Sequence, residues 1–155
     1  MLLAVLVAWL LWPAPPEPPP RARPYLEFTA CLLTDGHGVA GATAAPVWAG
    51  MQDASLATHA KVQYLAVSGE ATAGNALPYL SSLIQRRCAV VLAVGPAQVE
   101  AVRADASRYP QVRFVVVGGS VAGTNVTALS GLSDAGLRDR VRGLLTGVVR
   151  SASPA

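Results

Sequence analysis

The stretch CLLTDGHGVAGA, residues 31–42, places a carboxylate, Asp35, and an imidazole, His37, in a loop punctuated by Gly36, Gly38 and Gly41. The apolar run Cys31-Leu32-Leu33 leads into this loop, and an alanine-rich segment leaves it. A carboxylate where a buried strand passes into a helix can accept hydrogen bonds from ligand hydroxyls, and glycines let the backbone come close. The same carboxylate can instead tie down loop amides. Thr34, Asp35 and Gly36 are the first candidate binding residues on either account.

Other chemistry is sparse. His37 and His59 have no ligand spacing between them, and Cys31 and Cys88 form no CxxC pair, so neither a metal centre nor a cofactor site is expected. SGEATAG (68–74) and GVAGA (38–42) lack the spacing of a dinucleotide fingerprint or a P-loop. Thr34 and Asp35 have no nucleophile or base partner in readable reach. The expectation is a protein without enzymatic activity, with a small α/β enzyme built on Asp35 as the catalytic alternative. Asn125-Val126-Thr127 matches the glycosylation pattern, and we read that match as chance.

The elements that must position Asp35 follow from periodicity. YLEFTACLLT (25–34) reads as a strand. Thr43 is the expected cap of a helix with Pro46 in its first turn and Val47, Met51 and Ala54 on one face. KVQYLAVSG (61–69) is the second strand, and Asn75 the expected cap of a helix striped by Leu77, Leu80, Leu83 and Ile84. CAVVLAVG (88–95) is a fully apolar third strand, after which Pro96 opens a helix carrying Val99, Val102 and Ala106. VRFVVVGG (112–119) and NVTALSG (125–131) are the fourth and fifth strands. Ser133 caps a last helix with Leu137, Val141, Leu144, Leu145 and Val148 on one face.

Strands that alternate with helices and are apolar on both faces predict a doubly wound parallel sheet, three layers deep, with strand order 2-1-3-4-5. The switch point then lies between strands one and three. Gly95 and Gly118 join the candidate site there, because they end strands three and four. The same order makes strands one and three neighbours, so Cys31 and Cys88 are expected to form a disulfide.

Composition sets the outer bounds. The chain has 155 residues, 52% apolar and 14% charged, which fits one folded domain and argues against disorder. Its net charge of +3 comes from scattered arginines, not the basic stripe with interleaved aromatics that nucleic acid demands. MLLAVLVAWLLW (1–12) is uninterrupted apolar sequence, and PAPPEPPPRARP (13–24) behind it is proline-rich. Twelve helical residues reach about 18 Å, short of the roughly 30 Å hydrocarbon core. The reading is a signal or anchor segment at 1–12, a stiff linker at 13–24, one lobe at 25–150 and a tail at 151–155.

Strand-Thr34-Asp35-glycine loop, a helix bearing Trp48 and Gly50, VVLAVG, and ADASRYPQVRFVVVGG together resemble a known family. It is the basic membrane protein (PnrA-type) family of ABC-transporter solute-binding proteins, and the likeness covers its amino-terminal lobe, roughly Thr29 to Val126. The resemblance implies a single lobe of a type I periplasmic-binding-protein fold, with Asp35 matching a carboxylate of the family's ligand pocket. The family's Ser-Phe-Asn stretch corresponds here to Ala42-Thr43-Ala44, its acid after the fourth strand to Gly118 or Gly119, and Cys31 lies in no lipobox. The expected function is therefore an extracytoplasmic, non-catalytic binding or interaction domain, secreted or held to the membrane through its amino-terminal segment. The alternative is a true receptor for a nucleoside-like solute, serving an ABC transporter permease and completing its cleft as a homodimer.

Overall fold

The structure is a computed structural model that describes residues 25–152. The apolar segment 1–12, the linker 13–24 and residues 153–155 of the expected tail lie outside the described residues. Strands and helices alternate as β1 (Thr29–Thr34), α1 (Ala44–Thr58), β2 (Lys61–Ala66), α2 (Ala73–Gln85) and β3 (Val90–Val94). They continue as α3 (Pro96–Asp105), β4 (Arg113–Val117), β5 (Val126–Leu129) and α4 (Asp134–Ala152), so the last helix takes in Ser151 and Ala152 of that tail. The strands form one parallel sheet in the order β2-β1-β3-β4-β5. This is the predicted doubly wound arrangement. α1 and α4 cover one face over Leu32, Val47, Met51, Leu92, Val141 and Leu145. α2 and α3 cover the other over Leu33, Leu80, Leu83, Val91, Val102 and Phe114. β3 is buried along its whole length, as a strand with helices on both sides must be.

Several boundaries differ from the sequence reading, each for a local reason. β1 begins at Thr29, not Tyr25, because the Leu26 amide donates to the His59 carbonyl (2.9 Å) and carries the chain past the end of α1. Thr43 precedes α1 but already has helical angles, and its side chain makes no capping bond. The carbonyl of Gly41 takes that role and accepts from the Ala45 amide at 2.8 Å. Asn75 is not the cap of α2 either. Thr72, in an extended conformation, accepts from the Asn75 amide through its side chain. Asn75 instead reaches back, its Nδ2 donating to the carbonyls of Ser68 (2.8 Å) and Glu70 (2.9 Å). Ser133 does cap α4, accepting the Gly136 amide at 3.2 Å.

His59 ends α1 in the left-handed region (φ 61°), a geometry that uses its backbone and not its imidazole. Asn125 is likewise structural. Its Nδ2 donates to the carbonyls of Ala106, Tyr109 and Val112, each at 3.0 Å, clamping the turn that feeds β4.

A disulfide joins Cys31, in β1, to Cys88, with a Cα–Cα distance of 5.8 Å. Cys88 sits in the turn after α2 and not within the third strand, since β3 begins at Val90. The bond therefore ties the sheet to the α2–β3 junction. Both cysteines are buried among the residues facing α2 and α3, and Gln63 of β2 donates to the Cys31 sulfur at 3.1 Å.

On the opposite face α1 and α4 pack unusually close at Gly50. A Cβ there would collide with the Arg138 carbonyl oxygen and come within 3.0 Å of the Val141 Cβ. Beside this contact Arg138 binds Asp53 through two bonds, Nε to Oδ2 at 2.6 Å and Nη2 to Oδ1 at 2.9 Å. Those bonds hold the Asp53 carboxyl below the usual carboxylate range. A depressed folded-state value means the pair contributes above the ordinary carboxylate pKa and is lost as pH falls through the lowered one.

Two outcomes follow from this packing. Gly50→Ala is expected to lower stability by about 1–3 kcal/mol, since backbone must move to admit the methyl group; a urea denaturation midpoint equal to wild type would contradict it. The bridged residues are 57 apart in sequence, and the double change Cys31→Ala with Cys88→Ala should cost about 2–4 kcal/mol. Reductant should then shift the wild-type urea midpoint and leave that of the double variant unmoved.

Candidate functional site

The carboxyl ends of β1 and β3 open onto a cleft of about 380 Å³. It is lined by Thr34 and Asp35 from the end of β1, Gly95 from the end of β3, His37 in the loop, and Thr43 just before α1. Ala40, Ala42, Ala44, Val94 and Pro96 supply its apolar wall. A second hollow of about 260 Å³ adjoins it, shares Ala42 and Thr43, and contains Gly118 at the end of β4. Three of the residues picked from sequence thus meet in one cleft, and Gly118 stands in its neighbour. Gly36 lines neither. Its Cβ position faces the Val67 carbonyl at 3.6 Å, on the β2 side of the loop.

Asp35 is held by the backbone it helps to fold. Its Oδ1 accepts from the His37 amide at 2.9 Å and lies 3.3 Å from His37 Nδ1. Its carbonyl accepts from the Gly38 amide at 3.0 Å and from the Thr34 hydroxyl at 3.0 Å. Its side chain remains 49% exposed, and among the described residues Oδ2 accepts no hydrogen bond. One carboxylate oxygen anchors the loop, and the other is left for solvent or a ligand. His37 is 82% exposed, as a loop histidine would be.

Thr34 contributes differently. It is fully buried, its hydroxyl is spent on the Asp35 carbonyl, and its own carbonyl accepts from Val67 N (2.9 Å) and from Gln98 Nε2 (3.2 Å). Gln98, in the first turn of α3 and 2% exposed, is the residue the sequence reading missed. The available signal was a glutamine at the third helical position after Gly95-Pro96, where a side chain can turn back toward the preceding strand ends. Here it crosses to β1 and fixes α3 against the floor of the cleft.

Gly95 has φ 110°, a conformation that side chains rarely adopt, and a Cβ on it would collide with Gln98 Oε1. Its smallness therefore serves the Gln98 bond first and the openness of the cleft second. Gly95→Ala is expected to cost about 1–3 kcal/mol from backbone strain alone, before any displacement of Gln98. Chemical denaturation checks the value, and an unchanged midpoint would show that the strand end tolerates a side chain.

No family model matches this sequence, and no curated protein does. Solved structures do. A fragment assigned as a lipoprotein from Peptoclostridium difficile 630 superposes with a TM-score of 0.62 at 16% identity, covering 81% of this chain and 98% of that one. A transcriptional activator of the comK gene from Bacillus halodurans superposes at 0.54 with 20% identity, over 64% of this chain and 33% of its own. The 5-methylthioribose transporter solute-binding protein from Thermotoga lettingae TMO, solved with 5-methylthioribose, superposes at 0.50 with 11% identity, over 79% of this chain and 47% of its own. The chain therefore spans under half the length of the latter two. At these identities the likeness is one of fold, a single lobe of the type I periplasmic-binding-protein kind.

Proposed function

We propose that this chain is an extracytoplasmic, non-catalytic binding domain, a single-lobe relative of solute-binding proteins that takes a small hydroxyl-bearing ligand at the ends of β1 and β3. The observation that carries this reading is the half-exposed Asp35 carboxylate, fixed through Oδ1 and open at Oδ2, in a cleft at the sheet's switch point. A carboxylate so placed accepts hydrogen bonds from vicinal hydroxyls, while the alanine and proline wall accepts a ligand's apolar face. The sequence resemblance to the basic membrane protein family and the fold shared with a 5-methylthioribose-binding protein both favour a nucleoside-like or sugar-like molecule. Apart from the 82% exposed imidazole of His37, none of the residues lining the cleft is aromatic, so the ribose hydroxyls of a nucleoside would be the recognised part and its base would find no buried ring to stack on.

Location follows from the same reading. The buried Cys31–Cys88 bridge is of the kind that persists in oxidising compartments, and the apolar segment 1–12 supplies a route to secretion or to membrane attachment. The proposed partners are therefore the solute itself and, at the membrane, an ABC transporter permease.

One lobe acting by itself leaves one side of the ligand in water, so its affinity should be about millimolar at best unless a second chain closes over the ligand. A thermal-shift screen of nucleosides, free bases and pentoses, followed by calorimetry on the hits, tests the reading. Nucleosides and pentoses should raise the melting temperature and free bases should not. Asp35→Ala should weaken the binding about tenfold or more, the expected loss of a charge-assisted hydrogen bond of about 1.5–3 kcal/mol. Its cost in stability should be small, since the His37 amide it releases is exposed. Lost stability with no ligand found would leave Asp35 as a loop anchor and remove the site.

A further inference from the structure

The sheet has two edges, and they differ in kind. β5 is a strand of four residues (Val126–Leu129). β2 is six residues long, KVQYLA, with no proline and a single charge, Lys61, at its start. None of its six residues is buried, in contrast to the fully buried β3. Natural proteins shield such edges with short strands, edge charges, prolines, bulges or inward charges, and of these β2 has Lys61 alone, at its start.

The ladder fixes which backbone groups are open among the described residues. Lys61 N donates to the Phe28 carbonyl and Val67 N to the Thr34 carbonyl, so the odd-numbered residues of β2 bond to β1. By the alternation of a parallel ladder, the amides and carbonyls of Val62, Tyr64 and Ala66 point away from the sheet. Their side chains lie on the α1 face, where Tyr64 is 47% exposed and meets Trp48 edge-on at 5.4 Å between ring centroids.

The chain's own upstream segment is a poor match for this edge. Residues 13–24, PAPPEPPPRARP, are dominated by proline, which has no amide to donate to a ladder. β2 itself is a good match. Turned about a two-fold axis and centred on Tyr64, an antiparallel copy sets Tyr64 opposite Tyr64, and Val62 opposite Ala66 in both directions. All three open residues then fall in hydrogen-bonded pairs, each exchanging two bonds. Lys61 falls opposite Val67, so no like charges meet. The two Trp48–Tyr64 pairs come together at the axis, where cross-strand aromatic contacts add to the ladder.

We propose that a second copy of this chain docks on the open edge of β2, forming an antiparallel β2–β2 dimer with one continuous ten-stranded sheet. Because the strands run oppositely across the axis, the two clefts lie at opposite ends of the dimer. Neither copy closes the other's ligand site, so this assembly is independent of the proposed binding function.

The test uses the full-length chain. Residue-resolved hydrogen exchange should show the Gln63 and Leu65 amides protected at every concentration. Protection of the Val62, Tyr64 and Ala66 amides should rise at least tenfold between dilute and concentrated samples. Sedimentation should show twice the chain mass of 16.0 kDa at the higher concentration. Tyr64→Lys, which sets two ammonium groups face to face, should return the mass to that of one chain and abolish the rise in protection; Tyr64→Phe should keep both. Val62, Tyr64 and Ala66 amides that exchange freely at all concentrations in the wild type would overturn the proposal without recourse to any variant. So would a single-chain mass throughout, which would leave the edge to an extended peptide of another protein, and so would a dimer that survives Tyr64→Lys.

Discussion

The end of β1 is the place where the fold has most to satisfy. This strand is paired on both sides, by β2 and β3, and from Ala30 to Thr34 every residue is buried. Its last carbonyl, that of Thr34, faces β2 and is fully buried where the ladder ends. It takes one bond from Val67, just past the end of β2, and one from Gln98 at the start of α3. A buried carbonyl left bare would cost about 1–3 kcal/mol, so the two elements are drawn to one point. Gly95 is the consequence, because Gln98 reaches β1 only if no side chain stands in its way. The cleft lies directly above this junction, with Thr34 and Gly95 in its lining.

The proposed binding role and the scaffold are layered at Asp35. Its carbonyl and Oδ1 are engaged by the turn that leads into the Gly38–Ala40 loop, so the residue belongs to the fold before it belongs to any ligand. That engagement also preorganises the carboxylate, since a side chain already fixed at one oxygen loses little freedom when the other is used. The neighbouring hydroxyl of Thr34 is fully committed within the chain and contributes shape, not a donor. The two residues sit side by side in sequence and hold opposite roles in the cleft.

The two faces of the sheet are secured by different means. On the α2 and α3 face the Cys31–Cys88 bridge fastens β1 to the turn before β3, with Gln63 laid against the Cys31 sulfur. On the other face no covalent link exists among the described residues, and α1 and α4 rely on close approach at Gly50, backed by the Asp53–Arg138 pair. A covalent link acts mainly on the unfolded chain, whereas close packing acts on the folded one. The β2 edge lies beside both arrangements and is closed by neither.

The sequence alone determined the class of fold, the strand order, the pairing of the cysteines and the position of the loop that ends β1. Those features rest on patterns that burial enforces over many residues: apolar runs such as VVLAV and FVVV demand cover on both faces, and right-handed crossovers then leave few topologies. Asp35 was legible because it interrupts such a run. Only the tertiary structure decided which polar side chain meets which backbone group. Thr72 and not Asn75 caps α2, Asn125 clamps the turn before β4, and Gln98 crosses to the end of β1. The Thr72 cap is local, three residues before the amide it accepts, but the Asn125 and Gln98 bonds depend on carbonyls brought close by a different element, a coincidence in space that sequence spacing does not record. Gly36 and Gly95 show the same division. Gly36 reads as a glycine that lets the backbone approach a ligand and Gly95 as one that clears a neighbouring loop, yet the first turns toward β2 and the second makes room for Gln98, because the packing of β2 and α3 against β1 settles which way each backbone faces.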